Sequence, residues 1–458
     1  MDNLYKYNKE IKYSALFAGM ISSFSMSFMG SSINIALPAI GLEFSMGAVM
    51  LGWIATSYLL TTAIFQVPLG RLADIYGRKN FFIAGLLIFA FASFFTIFIN
   101  SGFLFILLRV IQGVGGSMVF GTSVAIITSV FDGNERGKAL GWHVSSVYTG
   151  MTAGPFLGGI LTHNFGWRSI FVINTILCLI AVSFVLLKLN AQWAEAKGEK
   201  FDLFGSLIFG PAIFSVIFGL TNINKNGILF LVLGLLLIGL FIIVELKIKQ
   251  PIINMQLFIN NKVFAFSNLA AMIHYSSTFA VGFMMSLYLQ YVKGFTPQNA
   301  GLVIMIQPVI MMIFAPIAGR LSDKKHPGKI ASLGMGITAL GLFLLIFLNQ
   351  NTHILNIIGA LLLIGFGLAF FSSPNTNAVM GSVEKRNYAI ASATLGTMRV
   401  TGQMIGLALG MFTLSLFIGN LKITPAIYPD FIKAVSITFL ISTVLSLFGI
   451  LASLQRNK

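Results

Sequence analysis

Gly70-Arg71-Leu72-Ala73-Asp74 returns at Gly319-Arg320-Leu321-Ser322-Asp323, and the surroundings of both copies are oily. A short motif repeated at long distance marks a duplicated architecture. Composition fixes the solvent in which the duplication stands. Of 458 residues, 57% are hydrophobic and 9% charged, with 44 phenylalanines and a mean hydropathy of +0.90. Soluble domains carry about 25% charged residues. The expected fold class is therefore an all-α polytopic membrane protein, in which each helix satisfies its own backbone.

At roughly 20 apolar residues per crossing, fourteen spans are expected, near 13–37, 50–69, 81–99, 102–125, 139–161, 168–188, 203–221, 227–246, 264–290, 299–318, 330–348, 353–380, 391–416 and 432–453. Met1 to Lys12 is polar and basic, and no small-residue cleavage site follows it, so the first span is expected to be retained. With both ends placed in the cytoplasm, the outer side keeps only Arg168, Lys225, Lys293, Lys422 and Lys433. Arg109 and Arg399 fall within spans, and the remaining 22 of 29 basic residues lie inside. That split follows the positive-inside rule and explains the net charge of +16 without nucleic acid. The localisation expected is a prokaryotic cytoplasmic membrane, crossed many times. Lone Cys178 allows neither an internal disulfide nor a cysteine metal cage.

Eight crossings separate the two G-R-L-x-D copies, so both face the same side. The halves are then parallel repeats about an axis along the membrane normal. Gly150, Gly154 and Gly158 are echoed by Gly402, Gly406 and Gly410 at a constant offset of 252. The expected organisation is a six-helix half over 1–189, a linker with inserted spans 7 and 8 over 190–262, and a second six-helix half over 263–458.

Gly70-Arg71-Leu72-Ala73-Asp74-Ile75-Tyr76-Gly77-Arg78-Lys79 resembles the loop signature of the major facilitator superfamily. Arg109-x-x-Gln112-Gly113 resembles the family's fourth-span motif, and Gly150-x3-Gly154-Pro155-x-x-Gly158-Gly159 its antiporter motif in span 5. With fourteen spans, and with Asn34-Ile35-Ala36-Leu37-Pro38 and Trp167-Arg168, the chain is most similar to the fourteen-span drug:proton antiporters. The resemblance implies a secondary active transporter, not an enzyme, that works as a monomer by alternating access, with a hydrophobic small molecule as cargo, protons as coupling ion and the lipid bilayer as partner. No cofactor is implied. No zinc spacing and no phosphate-binding loop is present, since Gly137-Lys138 is followed by Ala139.

Gly70 and Gly77 permit a tight turn between spans 2 and 3, and Asp74 is suited to the positive end of a helix dipole. The family precedent is a cytoplasmic latch of Gly70, Asp74, Gly77, Arg78 and Lys79, with Gly319 and Asp323 as its second copy. It implies that Asp74 meets span 13 near Asn387, that Arg78 pairs with Asp132 or Glu135, and that Asp323 lies near Lys138. The span 5 glycines share one face, and Pro155 removes a backbone hydrogen bond, so Gly150, Gly154, Pro155, Gly158 and Gly159 read as a hinge. Arg109 costs roughly 2.5 to 3.5 kcal/mol to bury near a span centre and is expected to face the cavity. The resemblance implies proton coupling there, with Gln112 as neighbour, and Arg399 raises the same question.

None of the thirteen acids lies at a membrane centre. Drug exporters of this type carry an aspartate in span 1 where Met29 stands here, which leaves the cargo's charge and the proton site open. His274 and His143, of the residue type whose ordinary titration lies near neutral pH, stand either as coupling groups or as packing residues. Met29, Asn34, Gln66, Gln307 and Asn375 are candidate cavity residues. Amides such as Asn34, Asn268 and Asn377 serve equally well for hydrogen bonds between helices.

Overall fold

The computed structural model describes residues 9–131, 133–248, 251–253, 255–384 and 388–456. Its helices run α1 (Lys9–Glu43), α2 (Ala48–Tyr76), α3 (Arg78–Thr96), α4 (Gly102–Val130), α5 (Gly133–Phe165), α6 (Arg168–Lys188), α7 (Leu203–Thr221), α8 (Ile228–Glu245), α9 (Met255–Asn260), α10 (Lys262–Thr278), α11 (Ala280–Leu287), α12 (Pro297–Ile304), α13 (Ile306–Lys324), α14 (Pro327–Leu345), α15 (Ile354–Gly381), α16 (Tyr388–Phe417) and α17 (Tyr428–Gln455).

Among the described residues, twelve segments are long and apolar enough to cross a membrane, α12 and α13 counting as one. Two of the fourteen expected spans fall outside that set. The one expected over 264–290 is interrupted at Phe279, leaving α10 with 17 residues and α11 with 8. The other corresponds to α5, which is 33 residues long but polar along its opening turns, where Glu135, Arg136 and Lys138 sit. The outer surface suits lipid. Leu229, Leu235 and Leu236 of α8 are all more than 60% exposed, a display that water would not tolerate.

Helices pack in two sets. In the first, α1 lies on α5 and α6, α2 on α4, and α3 on α4 and α6; in the second, α10 lies on α16 and α17, α13 on α15, and α14 on α15 and α17. Between the sets, α5 meets α12, α2 meets α16, and α1 meets α11. The hairpin of α7 and α8 leans through α7 on both α2 and α16.

Because lipid tails are as apolar as leucine, helices associate in a membrane by close contact, not by escaping water. The repeated glycines supply that contact in matching places. A Cβ on Gly150 would stand 2.5 Å from the Phe24 carbonyl oxygen, and one on Gly154 2.5 Å from Ser31 Cβ, so this face of α5 beds into α1. Gly402 and Gly406 bed α16 into α10 in the same way, against the carbonyls of Met272 and Ser276. The first and fifth helices of each set therefore form equivalent pairs.

Candidate functional site

The loop motif is helical for most of its length. α2 runs on through Tyr76, so Gly70 is no turn residue. It lets α2 approach α4 at Gly121, where a Cβ would come 3.2 Å from the Gly70 Cα. Gly319 likewise lies within α13, close to Ser373. The turn is made by Gly77 alone, at φ 120°, a region that favours glycine.

What closes over this turn is the segment between α6 and α7. Arg78 N–H donates to the Trp193 carbonyl at 2.8 Å, Ala196 N–H to the Asp74 carbonyl at 3.0 Å, and Lys79 N–H to Gln192 Oε1 at 3.0 Å. Arg78 Nε donates to Asp74 Oδ1 at 2.6 Å, while its Nη1 and Nη2 donate to Glu195 Oε1 and Oε2 at 2.6 and 2.9 Å. Arg71 pairs with Glu199. Burial pushes the Glu195 carboxyl up, but the hydrogen bond and charge of Arg78, with Ser129, hold it below the usual carboxylate range.

This corrects the expected partners. Glu135 is bonded to Lys12 at 2.8 Å, not to Arg78, because α5 begins beside α1; Asp132 lies outside the described residues. So does Asn387, the expected neighbour of Asp74. Asp323 accepts from Asn377 Nδ2 at 3.1 Å and forms no salt bridge with Lys138 among the described residues. The partners come instead from the linker, whose Glu195, Glu199 and Asp202 are three of only thirteen acids.

Arg109 is 1% exposed and does not line an open cavity. Its Nε donates to the Ile54 carbonyl at 2.9 Å and its Nη1 to Gln112 Oε1 at 2.8 Å, and the guanidinium carbon lies 4.5 Å from the Tyr58 ring centroid. Gln112 Nε2 passes the chain on to Ser93 Oγ at 2.9 Å. The cation is thus sealed between α2 and α4 and solvated by a carbonyl, an amide and a ring face, each a favourable partner for guanidinium. The expectation failed because small residues along α4, such as Gly113 against Tyr58 and Thr61, bring α2 too close to leave a cavity there.

The antiporter motif divides between two faces. Gly150, Gly154 and Gly158 face α1, whereas Gly159 and Pro155 meet the other set of helices at Pro297 and Gly301 of α12. Further contacts between the sets are Ala48 N–H to the Leu421 carbonyl at 3.1 Å, Gln290 Nε2 to the Ile35 carbonyl at 3.0 Å and Thr56 Oγ1 to Met411 Sδ at 2.8 Å. They gather at the end of the molecule away from Asp74.

Of the candidate histidines, His143 is held by Ser23 Oγ and Ser123 Oγ at 2.7 and 3.0 Å, between α1, α4 and α5. His274 is fully buried with no hydrogen bond to either ring nitrogen, its ring centroid 4.1 Å from that of Phe371. Met29 is fully enclosed, and Asn375 sits inside the second set, accepting from Arg456 Nη1 at 2.6 Å and donating to the Ser267 carbonyl at 3.1 Å. Neither borders open space, since packing within its own set of helices consumes it. Asn34, Gln66 and Gln307 are part-exposed. Gln66 Nε2 lies 3.6 Å from a Cβ placed on Gly396 of α16, facing the other set.

Arg456, just past α17, is 4% exposed and reaches the Gly328 carbonyl at the start of α14, at 3.3 Å. It occupies in the second set a place like that of Arg78 in the first. Reading it as a loop charge missed this role, for which a terminal arginine gives no signal.

A model of the Major Facilitator Superfamily matches residues 19–407 and again 267–457. The chain is 30% identical over 400 residues to a riboflavin transporter of Clostridioides difficile (strain 630), covering 87% of each chain. It is 28% identical over 445 residues to a multidrug transporter protein of Bacillus subtilis (strain 168), covering 95% of this chain and 81% of that one. A bacterial homolog of the human lysosomal transporter Spinster, solved inward-facing and unoccupied, superposes with a TM-score of 0.70 at 15% identity over 98% of both chains. Repeated helix sets, the loop motif and these matches agree: the chain belongs to the Major Facilitator Superfamily and is a transporter, not an enzyme.

Proposed function

We propose that the chain is a proton-coupled exporter of hydrophobic small molecules, working as a monomer by alternating access in a prokaryotic cytoplasmic membrane. In this reading fourteen segments cross, the twelve apolar ones joined by α5 and by α10 with α11, and both termini lie in the cytoplasm. Residues 1–189 and 263–458 are the rocking halves, and 190–262 carries the inserted pair. The observation that carries the proposal is the asymmetry of contacts between the halves. Backbone and glycine contacts close the end away from Asp74, while at the Asp74 end the loop motif is occupied by its own linker. Such an arrangement suits a molecule open toward the cytoplasm. Arg109, Gln112, Arg399, His274 and His143 are the coupling candidates, Gly150 to Gly159 the hinge, and the motif with its linker the latch.

The test is dye movement in proteoliposomes under an imposed pH gradient. Gradient-driven accumulation is expected; movement indifferent to the gradient would remove proton coupling.

A second reading, a carrier for a specific neutral or anionic metabolite or a lipid that works without proton coupling, is favoured by the charge inventory. Among the described residues, no acid pairs with Arg109 or Arg399, and a similar protein is named for riboflavin.

A further inference from the structure

Arg109 and Arg399 lie well inside their helices, and of the two only Arg109 makes hydrogen bonds among the described residues. Arg109 is enclosed and bonded, as described. Arg399, in the candidate span Ile390–Phe417, is part-exposed, and its Nε is buried without a hydrogen-bond partner. The face of Tyr275 lies 5.3 Å from its guanidinium carbon, measured to the ring centroid. A guanidinium carries five N–H donors and no acceptor. Among the described residues no acid pairs with this cation and its Nε meets no acceptor, and intramembrane charges of this kind mark ligand sites.

The hydroxyls beside it supply one further donor. Ser372 Oγ lies 3.1 Å from Tyr148 Oη and 3.3 Å from Tyr275 Oη. Three hydroxyls bring three hydrogens, and two contacts use two of them, which leaves one donor unspent. Tyr148 belongs to α5 of the first half, whereas Ser372, Tyr275 and Arg399 belong to α15, α10 and α16 of the second. The cluster therefore bridges the surfaces that move against each other in alternating access, lined by aromatic faces that suit a flat apolar body.

We propose that Arg399, with the hydroxyls of Tyr148, Tyr275 and Ser372, forms the cargo site, and that it takes an apolar, planar molecule carrying an anionic group such as a carboxylate, sulfonate or phenolate. This rests on the transport reading and narrows its cargo, without depending on the coupling ion. The charge neutralises Arg399, the oxygens accept from the guanidinium and the spare hydroxyl, and the ring system packs on the aromatics.

Xanthene dyes of opposite charge on one scaffold supply the probes. Binding of fluorescein and of rhodamine 123 is measured by polarisation to the full chain in nanodiscs, in chloride-free gluconate buffer, against empty discs. Fluorescein is expected to bind at least tenfold more tightly than rhodamine 123. Arg399→Gln should remove at least tenfold of that affinity and leave rhodamine 123 within twofold; Arg399→Lys should keep the preference for the anion. Tyr148→Phe should weaken fluorescein several-fold, a second readout should Arg399→Gln insert poorly. Equal binding of the two dyes, no retention of fluorescein above empty discs, or unchanged affinity in Arg399→Gln would each overturn the site. If binding behaves as expected while transport ignores a pH gradient, proton coupling fails and the Arg399 site stands.

Discussion

Arg78, the first residue of α3, holds Glu195 in a two-pronged hydrogen bond although 117 positions separate them. Its side chain is 5% exposed and that of Glu195 58%, so the pair is a buried cation roofed by a wetter anion. The linker between α6 and α7 is thereby fastened to the turn that follows α2. A change in the linker's position and a change in the loop motif are, on this geometry, one event.

Removing the roof should therefore release the linker. Glu195→Gln is expected to lower thermal stability by only about 1 kcal/mol, as for a part-exposed ion pair, yet to shift the emission of Trp193, now 5% exposed, to the red. The same shift should follow acidification. Because the folded carboxyl titrates below its ordinary value near 4.5, the stabilisation is complete above that value and is lost as pH falls through the depressed one. A Trp193 difference spectrum, taken against Trp193→Phe, that is unchanged by Glu195→Gln would contradict the roof.

A glycine that joins the halves, Gly301, and one packed within the second half, Gly410, should not be equivalent. Gly301→Ala drives a Cβ into the Pro155 carbonyl, a backbone atom, while Gly410→Ala meets the end of the Met284 side chain at 3.1 Å. Overpacking costs about 1–3 kcal/mol where the neighbour cannot yield. Thermal unfolding in nanodiscs is expected to drop for Gly301→Ala and to change little for Gly410→Ala, and equal shifts would mean that the Pro155 main chain yields as readily as the Met284 side chain.

In the inserted hairpin, Asp202 Oδ1 accepts from Gly205 N–H at 2.8 Å and Glu245 Oε2 from Ile253 N–H at 2.9 Å. Among the described residues the remaining oxygens, Asp202 Oδ2 and Glu245 Oε1, are buried without a geometric hydrogen-bond partner, and both border the space where a Gly205 Cβ would go. Glu245→Gln supplies an amide donor to Asp202 and should slow hydrogen exchange at the start of α7, whereas Gly205→Ala should accelerate it. Mass spectrometry of exchanged peptides covering 203–210 checks both signs.

Arg109→Lys keeps the charge and loses the fork. A lysine cannot serve the Ile54 carbonyl, Gln112 and the Tyr58 face together, so transport is expected to fall at least tenfold with membrane insertion retained. Transport at the parental rate would reduce Arg109 to packing.

The duplicated helix sets were legible in the sequence because the 252-residue offset and the composition are properties of the chain alone. So was the alignment of the glycines on one face of α5, which follows from helical spacing. Where a side chain points across a gap between helices was not legible. Arg109 reads as a cavity residue until α2 is known to press on Gly113, and Met29 and Asn375 go the same way. Glu195 was missed for a different reason. Its partner is fixed by the path of an irregular segment, and periodicity says nothing about such paths, though three acids opposite a basic loop were a usable signal.

The seam made by Gly159, Gly301, Pro155 and Pro297 consists of main chain against main chain, with no long side chain between. Dispersion forces across such a joint lose about a quarter to a half of their strength within about an ångström of separation, and no flexible side chain stretches to follow the parting surfaces. The joint therefore behaves as a switch and not as a dial. Distances measured on single molecules across it should fall into two populations, with little between them.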